Sequence, residues 1–566
     1  MFFKQFHIFL RCLLLSIIGF GSSLNAQTIP VGFSHLNNYL RDQQLLQDTS
    51  NSINSFCILP LSASSSRTKF QPYYTDSLSQ NHDLMKLNFR EPKIKNFHLG
   101  LSPLQVQTIF NSDHPYGWND GPMIPAKGLQ AYFSGGLYAS WGPLDVQFQP
   151  EIVLAANPSF DGFSTQHYDV ISARYYDFYN QIDLPERFGS DPFGDAYWGQ
   201  SHLLLNFKNI SFGFSTENLW WGPGIRNSLL MTNTAPGIKH FTLYSQKPIQ
   251  TGIGSFEGEI IAGWPQTSRF GVLTPERNYF NNPLYIPKPS TKRYLSGFVL
   301  TWQPKWVKGL FLGLERSMQL YGVEQSRFPK DYLPLFSPFQ ALNADESLVK
   351  KQQMGALFFR WVWKEEQAEI YGEWGRHQQN QSIRNTLLVP SRNRAYVFGL
   401  RKLFPKAHQQ YLKLNIEVSQ LNETNIEDIL NLNSWYINSH ITAGYTNMGQ
   451  AIGAGIGPGS NFQQVSFSWN KGIKQIGISA ERLLHNDDLY YYFFHDSYDF
   501  RRHWYDLSLK AFGTWEYQNV LFNASAMATR SYNYGWYLKQ NPGDPYFVNG
   551  LNKFNLQVQL GASYRF

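Results

Sequence analysis

Two stretches of the sequence hold side chains whose types and spacing bear on chemistry. In "ENLWWGPGIRNSLLMTNTAPGIKHF", Glu217 to Phe241, Trp220 and Trp221 abut Gly222, Pro223 and Gly224, and a second Pro-Gly follows at Pro236 and Gly237. A glycine loop cradles phosphate when it reads G-x-G-x-x-G after a strand or ends in GK[ST]. Here Asn227 stands where the third glycine would be and no lysine follows at P-loop spacing, so the nucleotide reading fails. The second stretch is a pair of aromatic-rich segments, His485 to Trp504 and Arg530 to Asn552. Aromatic rings stack on the C–H faces of sugars, and Arg or Lys meets acidic substituents. The candidates for polysaccharide binding are Tyr490, Tyr491, Tyr492, Arg501, Arg502, Trp504, Tyr534 and Trp536. The competing reading is that these rings pack loop on loop or form an interfacial girdle.

Catalytic and metal readings are weaker. His495-Asp496-Ser497 has a nucleophile and a base, but its neighbours Tyr498 and Asp499 lack the glycine-bearing surroundings that make an oxyanion hole, so a solvated loop is expected. His485 with Asp487 and Asp488 has no second histidine or glutamate at ligand spacing. No catalytic residue, metal or cofactor is assigned.

The elements that position these stretches follow from the ends of the chain. Residues 1–26 carry Lys4 and Arg11, an apolar run from Cys12 to Phe20 and small residues ending at Ala26, the order of a secretory signal peptide. The apolar run is about half the roughly 20 residues of a spanning helix. Past Ala26 the chain has 46 basic and 41 acidic residues, a net +5, which gives no ground for a nucleic-acid partner. Cys57 is its single cysteine, so no internal disulfide forms and packing must stabilise the fold.

No later segment has about 18 consecutive apolar residues, so a closed β-barrel is the remaining way across a membrane. In "FNLQVQLGASYRF", Phe554, Leu556, Val558, Leu560, Ala562, Tyr564 and Phe566 share one face, and Asn555, Gln557, Gln559, Gly561, Ser563 and Arg565 the other. That alternation, ending in a terminal phenylalanine, describes a lipid-facing strand. Tyr505, Leu507, Leu509, Ala511, Gly513, Trp515 and Tyr517 repeat it. At about 3.4 Å per residue and a tilt near 40°, Tyr505 and Trp515 lie roughly 26 Å apart along the membrane normal, the height of an apolar band between aromatic girdles. Further strands run through Val520 to Ala528, Ile476 to Ala480 and Leu412 to Val418, with Lys413, Asn415, Glu417, Glu369 and Glu373 facing the lumen. The expected organisation is a signal peptide at 1–26, a small partly helical periplasmic segment at 27–95, and one outer-membrane barrel at 96–566. Phe33, Leu36 and Leu40 mark the helical face of the periplasmic segment.

Several segments in order along the chain resemble the capsule assembly Wzi family: "HPYGWNDGPMIPAKGLQ" (His114 to Gln130), "LWWGPGIRNSLLMTNTAPGIKHF" (Leu219 to Phe241), "PKWVKGLFLGLER" (Pro304 to Arg316), "IYGEWGR" (Ile370 to Arg376) and "GQAIGAGIGPGSN" (Gly449 to Asn461). The resemblance implies an all-β fold, a transmembrane antiparallel β-barrel of about 18 strands in the outer membrane of a Gram-negative bacterium. It implies a lectin that retains capsular polysaccharide or exopolysaccharide at the cell surface. Trp220, Trp221, Gly222, Pro223 and Gly224 form the structural family motif and are expected to bend the chain back into or across the barrel. The expected partners are polysaccharide, outer-membrane lipid and, during biogenesis, the barrel assembly machinery. A substrate-specific porin is the alternative. The N-terminal segment departs from the helical periplasmic element that the resemblance leads one to expect.

Counting back from a periplasmic C-terminus puts "WEYQNV" and "WNKGIK" in periplasmic turns and the two aromatic segments outside. A protease-accessible tag at Asn541 should therefore be cut on intact cells and one at Asn519 should not; the reverse pattern would invert the topology.

Overall fold

The computed structural model describes residues 28–46, 54–62, 97–165, 167, 169–337, 350–377, 393–422, 434–494, 503–537 and 552–565. The first strands are β1 (Phe97–Asn111), β2 (Gly128–Trp141), β3 (Leu144–Phe148 continued by Glu151–Ala155), β4 (Phe193–Tyr197 continued by His202–Phe207), β5 (Ile210–Ser215) and β6 (Lys239–Ser245 continued by Ile249–Thr251). Next come β7 (Gly254–Trp264), β8 (Arg293–Pro304), β9 (Leu310–Tyr321), β10 (Gln352–Trp363), β11 (Ala368–His377) and β12 (Arg394–Pro405). The last are β13 (Gln410–Gln420), β14 (Asn461–Lys471), β15 (Lys474–Leu484), β16 (Tyr505–Tyr517), β17 (Val520–Tyr532) and β18 (Lys553–Tyr564). Each pairs antiparallel with the next, and β18 returns to β1 with Gln557 opposite Asn111 and Tyr564 opposite Leu104, so the barrel is closed with 18 strands. Closure gives every strand two bonded neighbours, which a lipid solvent requires because it offers backbone groups no partner.

Period-two patterning decides which side of the wall each residue takes. On β16 Leu507, Leu509 and Trp515 are exposed while Asp506, Ser508 and Thr514 are buried inside. Glu369, Glu373, Lys413 and Glu417 all point into the lumen and are buried. Short turns, such as Gln518 with Asn519 and Gly472 with Ile473, join strands at one end. Gln518 and Gly472 take positive φ there, as tight hairpin turns demand. Connections at the other end are longer, and the described part of the one after β5 folds inward.

Part of the segment expected as a periplasmic extension packs within the end of the barrel. Its helix forms as α1 (Ser34–Leu46) and lies across the short-turn end of the lumen. Ile29, Phe33, Leu36 and Tyr39 pack on Ile473 and Leu521, and Leu45 packs on Phe311, Val362, Leu403 and Tyr411. The polar face of the helix explains its position. Arg41 donates to Glu369 at 2.7 Å and to the Pro223 carbonyl at 2.8 Å. Asp42 accepts from Arg401 and Lys413, both at 2.7 Å, and from the Tyr411 hydroxyl at 3.0 Å. Arg360 in turn reaches Glu369, Gln44 and the Ser55 carbonyl. Buried ions without partners cost several kcal/mol each. The helix and the lumen supply each other's counter-charges, so docking satisfies both.

The Leu219–Phe241 region enters from the opposite end, as its Gly-Pro-Gly bend requires. Two strand carboxylates hold it. Glu417 accepts the backbone N–H groups of Ile225 (2.7 Å), Arg226 (3.0 Å) and Asn227 (2.9 Å), and the Tyr371 hydroxyl at 2.8 Å. Glu373 accepts those of Gly224 (3.3 Å) and Leu229 (2.9 Å). Trp220 and Trp221 pair with Leu59 and Ile58 in a two-residue ladder, and the Trp221 indole donates to Glu259 at 2.9 Å. A glycine at 222 is obligatory. Its φ is +97°, and a Cβ there would lie 2.2 Å from the Glu373 carboxylate. The second glycine run, Gly453 to Gly459, packs against the first insert, where Thr232 N–H donates to the Ile452 carbonyl at 2.9 Å and Tyr436 hydroxyl to the Leu229 carbonyl at 2.7 Å.

Glu417→Ala would leave the three insert N–H groups without an acceptor, and the barrel should lose about 3 kcal/mol or more of stability, measured by urea unfolding with heat-modifiable migration as the readout. Glu417→Gln keeps one acceptor oxygen and should lose less.

Candidate functional site

At the end opposite the short turns the long connections form a cap whose core is two helices side by side. In α2 (Asp169–Asn180) the buried residues Ile171, Ser172, Tyr175, Tyr176 and Phe178 face inward. The second is α3 (Asp487–Phe494), with two aspartates in its first turn where the helix dipole favours them. Arg174 of α2 ties the pair together, donating to the Tyr492 and Phe493 carbonyls at 2.6 and 3.2 Å, with its guanidinium 5.2 Å from the centre of the Tyr492 ring. The Tyr492 hydroxyl donates back to Asp177 at 3.0 Å. A column of rings continues outward from this joint. Phe163 stacks on Tyr175 with centroids 3.8 Å apart, Trp536 meets Phe493 and Trp504 edge-on, and Trp504 stacks on His485 at 3.9 Å.

The structure therefore brings most of the sequence-predicted aromatic residues together, and it divides them. Tyr490 and Trp536 are buried, Tyr490 against His503 and Trp536 inside the ring column. Tyr491, Tyr492, Trp504 and Tyr534 are half-buried and keep part of each ring at the surface. Arg501 and Arg502 lie outside the described residues, as does His495-Asp496-Ser497. The motif residues Trp220, Trp221, Gly222, Pro223 and Gly224 are buried in the lumen and have no part in the outer face.

The acidic residues beside His485 are committed to protein contacts. His485 Nε2 lies 2.7 Å from Asp506, Asp487 bonds His503 at 2.8 Å, and Asp488 accepts from Ser434 at 2.5 Å. Among the described residues no group of three or more His, Cys, Asp or Glu side chains could hold a metal ion.

Sequence reasoning missed the contribution of residues 155–193 and 265–292. Arg174, Tyr175 and Tyr179 come from α2, and Tyr285 and Lys288 from the loop packed beside it. Lys288 donates to the Tyr179 carbonyl and stands 5.7 Å from the Tyr285 ring centre. Burial lowers its ammonium to about 8, with Asp183 opposing the shift, so it is mostly charged at neutral pH. The signal was present in "ARYYDFYN", where Tyr175 and Tyr179 are one helical turn apart on one face.

The sequence pattern of the capsule assembly protein Wzi family matches residues 145–481, more than half of the chain. The chain belongs to that family. It is an outer-membrane β-barrel. A solved structure of Wzi from Escherichia coli, described as an outer-membrane protein involved in group 1 capsule assembly and a carbohydrate-binding β-barrel, superposes with a TM-score of 0.57 at 14% identity, covering 96% of this chain and 100% of that one. Pseudomonas aeruginosa OccK8 (OprE) has a TM-score of 0.39 at 10% identity over 83% of this chain and 98% of its own. Acinetobacter baumannii OccAB4 has 0.37 at 9% over 84% and 99%. No protein with a curated description matches. The region matched by the Wzi family pattern takes in the Gly-Pro-Gly insert and both of the carboxylates that hold it.

Burial separates the candidates experimentally. Trp536→Ala should destabilise the barrel by about 3–5 kcal/mol through the cavity it leaves, whereas Tyr491→Ala, with its ring already half-exposed, should shift the unfolding midpoint far less.

Proposed function

We propose that this Wzi-family barrel retains capsular polysaccharide or exopolysaccharide at the cell surface, binding it on the outer cap. The observation that carries the reading is family membership together with a lumen occupied from both ends, which leaves the cap as the surface a long polymer meets. The half-buried rings of Tyr491, Tyr492, Trp504 and Tyr534 suit stacking on sugar faces, and the residue types of Arg501 and Arg502 suit acidic substituents. Individual contacts of this kind are weak, about a kcal/mol per ring, but a polymer with many repeats multiplies them. No catalytic step belongs to this reading.

The porin alternative is disfavoured by the filled lumen. Two of the cavities inside it are about 180 Å³ and about 100 Å³, the first lined in part by Ile225 and Arg226 of the insert and both by residues of α1 such as His35. Bilayer recordings should accordingly show no steady single-channel conductance, and a stable open pore would favour the porin.

The binding test compares cell-bound with released polysaccharide in cells carrying the parent, Tyr491→Ala, Tyr492→Ala or Arg501→Ala, with folded barrel verified in each. Ring loss should increase shedding at all salt concentrations. Loss of the Arg501 charge should act mainly at low salt, because exposed charges are screened beyond about 8 Å at physiological ionic strength. Unchanged retention in all three would remove the cap as the binding face.

A further inference from the structure

On β8, Arg293, Leu295 and Gly297 point into the lumen, Arg293 donating to the Gly444 carbonyl and a Cβ on Gly297 falling 2.9 Å from the Trp221 ring. Tyr294, Ser296 and Phe298 therefore point to the lipid side, and the register places them opposite Leu320, Met318 and Arg316 of β9. Lower on that face Leu312 and Leu314 are exposed, as lipid-facing residues should be. Ser296 and Met318, however, have no exposed surface at all.

What covers them is a strap, residues 326–337, folded back over the outside of the wall. Two short 3₁₀ turns build it, Pro329–Asp331 and Pro334–Phe336, each opened by a proline. The Tyr294 hydroxyl donates to the Tyr332 carbonyl at 2.9 Å, and Arg316 donates to the Ser337 carbonyl at 2.7 Å and to Gln353. Arg316 is five residues from the end of β9, so the strap descends roughly 13 Å along the wall at ordinary strand rise and tilt.

The strap's free side is apolar. Phe328, Leu335, Phe336 and Tyr332 are 65, 63, 56 and 43% exposed. Around it stand the cations Lys292, Arg327, Lys330 and Lys350, and among the described residues no carboxylate lies within ion-pair distance of any of them. Among the described residues, the strap's Asp331 pairs with Lys351 at 2.5 Å and Glu324 with His440 at 2.9 Å.

We propose that residues 326–337 form a binding site for phosphorylated lipid of the outer leaflet, with Phe328, Leu335 and Phe336 among the acyl chains and Lys292, Arg327, Lys330 and Lys350 on the headgroup phosphates. An apolar face accompanied by cations that have no carboxylate partner among the described residues has this complementarity. An acidic glycan fits the cations but not the rings, which face out of the wall below the cap. The inference rests on the barrel and its membrane location and is independent of the polysaccharide reading.

Two measurements test it on protein refolded without residues 1–26. The remaining cysteine, Cys57, is buried and its thiol is pushed up to about 12 by that burial, so nitroxide introduced through Leu335→Cys or Phe336→Cys labels those sites alone. In bilayers both labels should relax more with oxygen than with a water-soluble nickel chelate; preference for the chelate would overturn the proposal. In native mass spectrometry of the detergent-solubilised barrel, lipid A should bind the parent. The combined variant Lys292→Gln, Arg327→Gln, Lys330→Gln, Lys350→Gln should bind it at least about tenfold more weakly, on the scale of cation attraction to an anionic surface. Phosphatidylcholine binding should be unchanged. Equal lipid A binding by parent and variant, or loss of acidic polysaccharide with lipid A binding retained, would overturn it.

Discussion

Five backbone N–H groups of one bent segment end on two carboxylates of the barrel wall, Glu373 and Glu417. A loop driven into a barrel carries donors that no neighbouring strand can accept, and leaving them bare would cost more than the packing returns. Carboxyl side chains solve this because their two oxygens can together take several donors. The wall in turn uses the loop, since its backbone N–H groups give Glu373 and Glu417 their partners. The Gly-Pro-Gly bend, the absence of a side chain at Gly222 and the tryptophans that fill the space beside it are consequences of that single exchange.

The same logic operates from the other end of the lumen, where charge matching rather than N–H capture dominates. Arg41 and Asp42 are adjacent in sequence and carry opposite signs, and each finds its complement on strands β11 to β13. The two inserts meet in the middle. Arg41 donates to the Pro223 carbonyl and Gly222 N–H to the Cys57 carbonyl, so the segment that precedes the barrel and the loop that re-enters it are bonded to each other as well as to the wall. The cap closes over this joint through ring stacking, using polar contacts mainly to orient the two helices.

Much of this was legible in the sequence where a period is enforced on both faces. Lipid selects Leu507, Leu509 and Leu560 on one side and a polar interior selects Asp506, Ser508 and Asn555 on the other, so strands β16 to β18 and the lumenal positions Lys413, Glu417 and Glu369 could be assigned from alternation alone. The inward bend at Gly222 was readable from backbone chemistry. The location of α1 was not, because Phe33, Leu36 and Leu40 announce a helix with an apolar face but do not say what that face meets; the deciding residues are Arg41 and Asp42, whose partners lie over 300 positions away. For the cap, composition identified the aromatic segments, while the split between buried Tyr490 and half-exposed Tyr491 depends on α2, which packs against them from the other half of the chain.

The separation between Arg41 and Glu369 also sets a constraint in time. The chain is made from its first residue onward, so α1 emerges before any strand that can neutralise it, and the seam between β1 and β18 can form only when the final residues arrive. Contacts spanning hundreds of residues carry a large loop-closure cost and are made slowly. The leading segment must therefore remain unengaged, with two opposite charges side by side, until β11 to β13 are in place. The interior of this barrel is completed by a segment synthesised before the strands that hold it.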